Sequence, residues 1–136
     1  DDREEYMGTL ICGRDHRPHV RSDGAILADR IPAGFLKVSR DAIRRIMRAH
    51  PELLYGDPER YSIDLFNHGA DHGTWYGEDM AFARRWRALG GDIWVVPNLT
   101  LTHHRGNKSY PGNYHYFLMR QPGGSLSPAE AKENAS

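Results

Sequence analysis

A single cysteine, Cys12, among 136 residues excludes an intrachain disulfide and removes any cysteine argument for an extracellular scaffold. No apolar run approaches the roughly 20 residues of a membrane-spanning helix, and no signal peptide is visible. Charge of one sign is also lacking, because 18 Lys and Arg balance 18 Asp and Glu. No global field therefore argues for nucleic acid or an anionic membrane. The motifs GxxxxGK[ST], HExxH, CxxC and GxSxG are absent, as are the dinucleotide glycine pattern and RNA-binding signatures. A P-loop, a self-contained zinc site and a nucleophile elbow all lose their sequence basis, although composition alone does not exclude a Ser/His/Asp triad.

With 39% hydrophobic and 26% charged residues, the chain reads as globular, long enough for one domain with a moderate core. Residues 1–30 are polar, with a possible strand at Thr9–Cys12. After Pro32, the stretch Ala33–Val38 reads as a buried strand. Ser39 is a good N-cap for a helix whose Ile43, Ile46 and Met47 share one face, and His50-Pro51 ends it. Residues 51–77, rich in Gly and Pro, read as a long irregular loop around Tyr61–Phe66. A second helix buries Phe82, Ala83, Trp86 and Leu89, and Gly90-Gly91 stops it. Ile93–Val96 form a strand that Pro97 breaks. Beyond it Leu99, Leu101 and His103 alternate with Thr100, Thr102 and His104, so with leucines facing a core His104 points away from it. The arginines at 40, 44, 45 and 48 and at 84, 85 and 87 read as solvated helix faces, and residues 121–136 as a frayed tail.

Two constellations could carry chemistry. Glu78-Asp79 opens the second helix, where acids complement the N-terminal dipole. The same pair, beside the flat surfaces of Trp75 and Tyr76, would serve as a rigidly held general base for a sugar hydroxyl. Both accounts fit the local sequence. Of eight histidines, His68, His72, His103 and His104 fall in loop-like regions that suit metal ligation, whereas His16, His19, His50 and His115 read as surface or hydrogen-bonded residues.

In order, "IPAGFLKVSRDAI", "GEDMAFARRWRALGGDIWVVPNLTLTHHRG" and "YPGNYHYFL" resemble the C-terminal half of GT-A-fold glycosyltransferases, over roughly residues 30–118. The likeness is to the group carrying an xED, F-C/A-R-R, G-G-x-I-W-V and H-x-G series. It implies an α/β fold, a mixed sheet flanked by helices, belonging to a Rossmann-like glycosyltransferase domain. It also implies that Asp79 is the base of an inverting reaction, with Glu78 its partner. The acceptor hydroxyl would attack a nucleotide sugar, a UDP-sugar in the simplest case, and displace the nucleotide diphosphate. The family histidine that helps bind Mn2+ or Mg2+ falls on His104 of His104-Arg105-Gly106, with His103 as the alternative one residue away. By the same resemblance Gly34 and Phe35 lie near donor and acceptor, and Trp75 and Tyr76 flank the acceptor.

One departure bears on activity. GT-A enzymes hold the nucleotide in an N-terminal half ending in a D-x-D metal motif, and residues 1–30 offer Asp23 and Asp29 but no D-x-D. The reading is thus a single half-domain over 1–120 with a tail at 121–136, its nucleotide-binding half missing. The chain opens on Asp1 rather than Met, in keeping with a fragment, and is expected not to turn over by itself. Its partners would be the nucleotide sugar, a carbohydrate acceptor and that missing half, in a cytoplasmic setting, with no nucleic acid. A non-catalytic carbohydrate-binding or scaffold domain is the alternative, and a metal-dependent hydrolase or nuclease built on His68, His72, His103 and His104 is a third reading.

Overall fold

The structure is a computed structural model in which residues 8–120 are described. The expected tail at 121–136 lies outside the described residues. The chain divides into two compact units: residues up to Leu27 together with those from Trp94 onward, and the continuous segment Ala28–Ile93. Its character is mixed α/β, with three helices and four small sheets in place of one continuous sheet among the described residues.

In the segment Ala28–Ile93, helix α1 (Arg40–Ala49) starts where expected. The Ser39 hydroxyl accepts the Ala42 amide at 3.1 Å, and the His50 cap turns into Pro51. Helix α2 (Glu78–Ala88) buries Ala81, Phe82 and Ala83, and Gly90 at φ +74 supplies its left-handed exit. Ile46 of α1, Phe82 of α2 and Leu53 between them form the core, enlarged by partly buried Leu36, Val38, Phe66 and Trp86. Phe66 and Phe82 pack with ring centroids 5.2 Å apart, and burying one such side chain contributes about 1.5–3 kcal/mol.

The expected strand at Ala33–Val38 is absent. Pro32, at φ −65, leads instead into a 3-10 turn over Ala33–Phe35, where Gly34 offers no side chain to pack and Phe35 stands 69% exposed. Only Leu36 and Val38 reach the core. The expected loop at 51–77 is two β-hairpins. Strands β3 (Leu54–Asp57) and β4 (Arg60–Ile63) pair antiparallel around Pro58-Glu59, with the Asp57 carboxylate accepting the Glu59 amide at 2.9 Å. Strands β5 (Gly69–Asp71) and β6 (Thr74–Tyr76) close around His72 and Gly73, at φ +48 and +80, the backbone of a type I′ turn.

The arginines of this unit are not merely solvated. Arg45 donates to the Leu89 carbonyl at 2.7 Å and lies 4.7 Å from the centre of the Trp86 ring. Arg87 donates to the Gly91 carbonyl and to Asp92, so both side chains satisfy carbonyls beyond the end of α2.

Strands β1 (Thr9–Leu10), β2 (Ile26–Arg30) and β7 (Ile93–Val95) form a sheet in the order β1-β2-β7, in which Ile26 is fully buried; the chain passes from one unit to the other within β2 and again within β7. Strands β8 (Thr100–Arg105) and β9 (Lys108–Asn113) make an antiparallel hairpin, and α3 (Tyr114–Arg120) follows directly. Buried Asn113 joins these pieces: its amide donates to Thr100 Oγ1 at 3.1 Å, and its carbonyl oxygen accepts the Tyr116 amide at the start of α3. The leucine side of β8 is not core. Leu99 and Leu101 are 44% and 42% exposed, because no element covers that face of the hairpin among the described residues.

Candidate functional site

Four of the residues singled out from the sequence adjoin one another at the junction of β6 and α2. Strand alternation turns Trp75 and Tyr76 to opposite faces of the β5–β6 hairpin. Trp75 is 69% exposed and meets the His68 ring edge-on at 5.8 Å. Tyr76 is half-buried, with the Arg84 guanidinium 4.6 Å from the centre of its ring. Gly77 is the N-cap of α2 and Glu78 and Asp79 its first residues. Glu78 is exposed and Asp79 partly so, and among the described residues neither carboxylate makes a hydrogen bond or an ion pair. Their place suits the helix dipole, yet neither is tied to a backbone amide, so both oxygens of each remain open to a ligand.

On the neighbouring side of α2 lies a cleft of about 410 Å³, lined by Asn67, His68, Asp71, Tyr76, Arg84 and Arg85 among others. Asp71 is its electrostatic pivot. Its carboxylate pairs with the Arg84 guanidinium and with His72 Nδ1, and the Arg84 hydrogen bond, ahead of every other cause, lowers its pKa from the ordinary value. Arg85 donates to the Asn67 carbonyl at 2.7 Å and to Asn67 Oδ1 at 3.2 Å, pinning the turn before β5 to α2. Of the residues expected at the site, only Tyr76 lines this cleft; Glu78, Asp79 and Trp75 do not. The sequence reading missed Asp71, Arg84 and Arg85 as site residues; the only local hint was Gly73, one of the glycines that punctuate this stretch, because three-residue strands carry too little alternation to be read.

Gly34 and Phe35 lie on the exposed 3-10 turn. A Cβ at Gly34 would meet nothing within 4 Å, and no ring contact joins Phe35 to Trp75 or Tyr76.

His103 and His104 belong to the other unit. As consecutive residues of β8 they face opposite sides of the hairpin, so a single ion could take one of them but not both. His104 Nδ1 shares a 3.0 Å hydrogen bond with Ser109 Oγ across the strands, which fixes the ring and leaves Nε2 outward. His103 stands opposite Tyr110. Among the described residues no group of three His, Cys, Asp or Glu side chains is arranged to hold a metal ion. A divalent cation would thus find one imidazole here and need its remaining donors elsewhere, so the donor set on this hairpin is incomplete. The histidines of the hydrolase reading are divided between the units: His68 and His72 belong to the segment Ala28–Ile93, where His72 is held by Asp71 and His68 lies against Trp75, and His103 and His104 belong to β8.

No family model, curated protein or solved structure matched this chain. Among the described residues no helix is long and apolar enough to cross a membrane.

Proposed function

We propose that the chain is the acceptor-side half of an inverting GT-A-type glycosyltransferase that moves a hexosyl group from a nucleotide sugar to a hydroxyl of a glycan or glycoconjugate. The observation that carries this reading is the pair of unengaged carboxylates, Glu78 and Asp79, on the first turn of α2 directly after the exposed indole of Trp75. Trp75 offers a flat apolar surface to a sugar face, and the hairpin and helix that flank it fix the distance to the acids. Asp79 takes the proton of the acceptor hydroxyl as its oxygen bonds to the anomeric carbon, and the nucleotide diphosphate departs with the electron pair of the broken glycosyl–phosphate bond. Glu78 orients the acceptor. A divalent ion with His104 or His103 among its ligands, a nucleotide-binding half supplying the D-x-D acids, and a cytoplasmic site of action belong to the same proposal.

Trp75 and His68 alone also favour a second reading, a carbohydrate-binding domain without catalysis. The two part on calorimetric titration of UDP with Mn2+ into the product of the full reading frame, beside Asp79→Asn and His104→Ala variants and an assay of sugar transfer. The transferase reading expects UDP to bind, His104→Ala to weaken it, and Asp79→Asn to bind normally while losing about 10²- to 10⁴-fold in transfer. Transfer unaffected by Asp79→Asn would sink the assigned base. Absence of both nucleotide binding and transfer, with Trp75 emission still responding to saccharides, would leave the binding domain.

A further inference from the structure

The β8–β9 hairpin carries a feature that sugar transfer through His104, which lies on its opposite face, does not use. Register places Leu101, His103 and Arg105 opposite Gly112, Tyr110 and Lys108, so these six share one face. The opposite face is furnished differently: its Thr100, Pro111 and Asn113 line an open groove with Tyr116 and Met119 of α3. On the first face Leu101 and Tyr110 are 42% and 44% exposed, and Gly112 gives Leu101 no cross-strand cover.

Arg105 and Lys108 directly oppose each other beside the turn, an arrangement of like charges that weakens a strand pair. No carboxylate relieves it, since neither side chain has a hydrogen bond or ion pair among the described residues. Residues 93–120 contain no Asp or Glu at all, and the described acids of this unit are occupied, Asp23 by Arg21 and Asp15 by the Arg17 amide. The chain's zero net charge therefore hides a local cationic tip with an aromatic and an aliphatic residue behind it.

We propose that this face of the β8–β9 hairpin docks on an anionic lipid surface, with Arg105 and Lys108 against headgroup phosphates and Tyr110 and Leu101 in the interfacial layer. Tyrosine suits that layer because its ring is apolar and its hydroxyl wet, and cations suit the negative leaflet. A nucleic acid fits less well. Two cations neutralise few phosphates, and an exposed leucine gains nothing from a phosphate backbone. The proposal holds whether or not the chain transfers sugar.

Co-sedimentation with sucrose-loaded vesicles tests it, using pure phosphatidylcholine and a mixture with 30% phosphatidylglycerol at low and high salt. Each Lys or Arg near an anionic surface is worth about five-fold in partitioning, so Arg105→Glu/Lys108→Glu should cut binding to the anionic vesicles at least ten-fold. Arg105→Lys should bind as the parent chain does, and high salt should weaken the parent chain in the same direction as the double reversal. Leu101→Ser/Tyr110→Ser should lower binding at both salt concentrations. Anionic vesicles bound no better than neutral ones, either double variant binding like the parent, or single-stranded oligothymidylate bound more tightly than the vesicles would each overturn the assignment. The salt dependence of the parent chain decides the point even if a variant fails to fold.

Discussion

A carboxylate reports its neighbours through its titration, and Asp23 is the residue where this is plainest. Its two oxygens take both the Nε and the Nη2 hydrogen bonds of Arg21, at 2.8 and 2.7 Å, and accept the Ala25 amide at 3.3 Å. The Arg21 hydrogen bonds, then that of Ala25, hold its pKa down at about 2. The same guanidinium lies 4.7 Å from the centre of the Trp94 ring, so one side chain serves both a turn and a strand. A carboxyl whose folded-state pKa is depressed favours the fold above its unfolded value of about 4 and loses that contribution as pH falls towards 2. Arg21→Ala should therefore raise the Asp23 midpoint towards the ordinary carboxylate range and shift the Trp94 indole resonance. An NMR titration of the side-chain carboxyl carbons measures the first, and a proton–nitrogen correlation spectrum of the indole N–H the second. A midpoint still near 2 in the variant would mean that the backbone amide, rather than Arg21, sets the value.

At the scale of the element, the end of α2 leaves no room for an added side chain. Gly91 is buried, and a Cβ built on it would overlap the Trp86 indole, whose Nε1 is fixed by a 2.9 Å hydrogen bond to the Asp92 carbonyl. Relief requires moving Trp86, and with it the ring on which Arg45 lies. Gly91→Ala should destabilise by about 1–3 kcal/mol, and thermal unfolding followed by circular dichroism should show the fall. Gly34→Ala, in open space, should leave the unfolding temperature unchanged. Much of this element was legible beforehand. Helical spacing marked Phe82, Ala83 and Trp86, and paired glycines marked the stop. Ser39 and the His50-Pro51 break framed α1 equally well, because caps and proline act within a few residues. The hairpins at 51–77 were not read, since strands of three or four residues carry too little alternation to outweigh the surrounding Gly and Pro; what specifies them is turn chemistry at Asp57 and His72-Gly73. The site was legible in the same uneven way. The sequence itself placed Trp75, Tyr76, Glu78 and Asp79 together. The pairing of Asp71 with Arg84, and of Asn67 with Arg85, arises only when the hairpin folds back on α2.

For the whole molecule the two units differ in how their backbone is protected, and this difference is measurable. In the segment Ala28–Ile93, the helices α1 and α2 close on Ile46, Leu53 and Phe82, so opening their amides exposes the core. In the other unit β8 is exposed along its entire length, as are the first four residues of β9, and Pro111 removes one amide from the two-stranded ladder. A two-stranded hairpin with little apolar cover is marginally stable in water, so its amides exchange through local opening rather than through global unfolding. Hydrogen exchange should find Ile43, Ile46, Phe82 and Trp86 among the slowest amides. Thr102, His104 and Tyr110 should exchange orders of magnitude faster. Anionic vesicles should slow that second group selectively if the hairpin is the lipid-docking face, because a surface that covers Tyr110 and Leu101 supplies the apolar cover the free hairpin lacks. Equal protection of the two groups in the free chain would show that a covering element is already present on β8–β9, and the exposed face on which the lipid assignment rests would be gone.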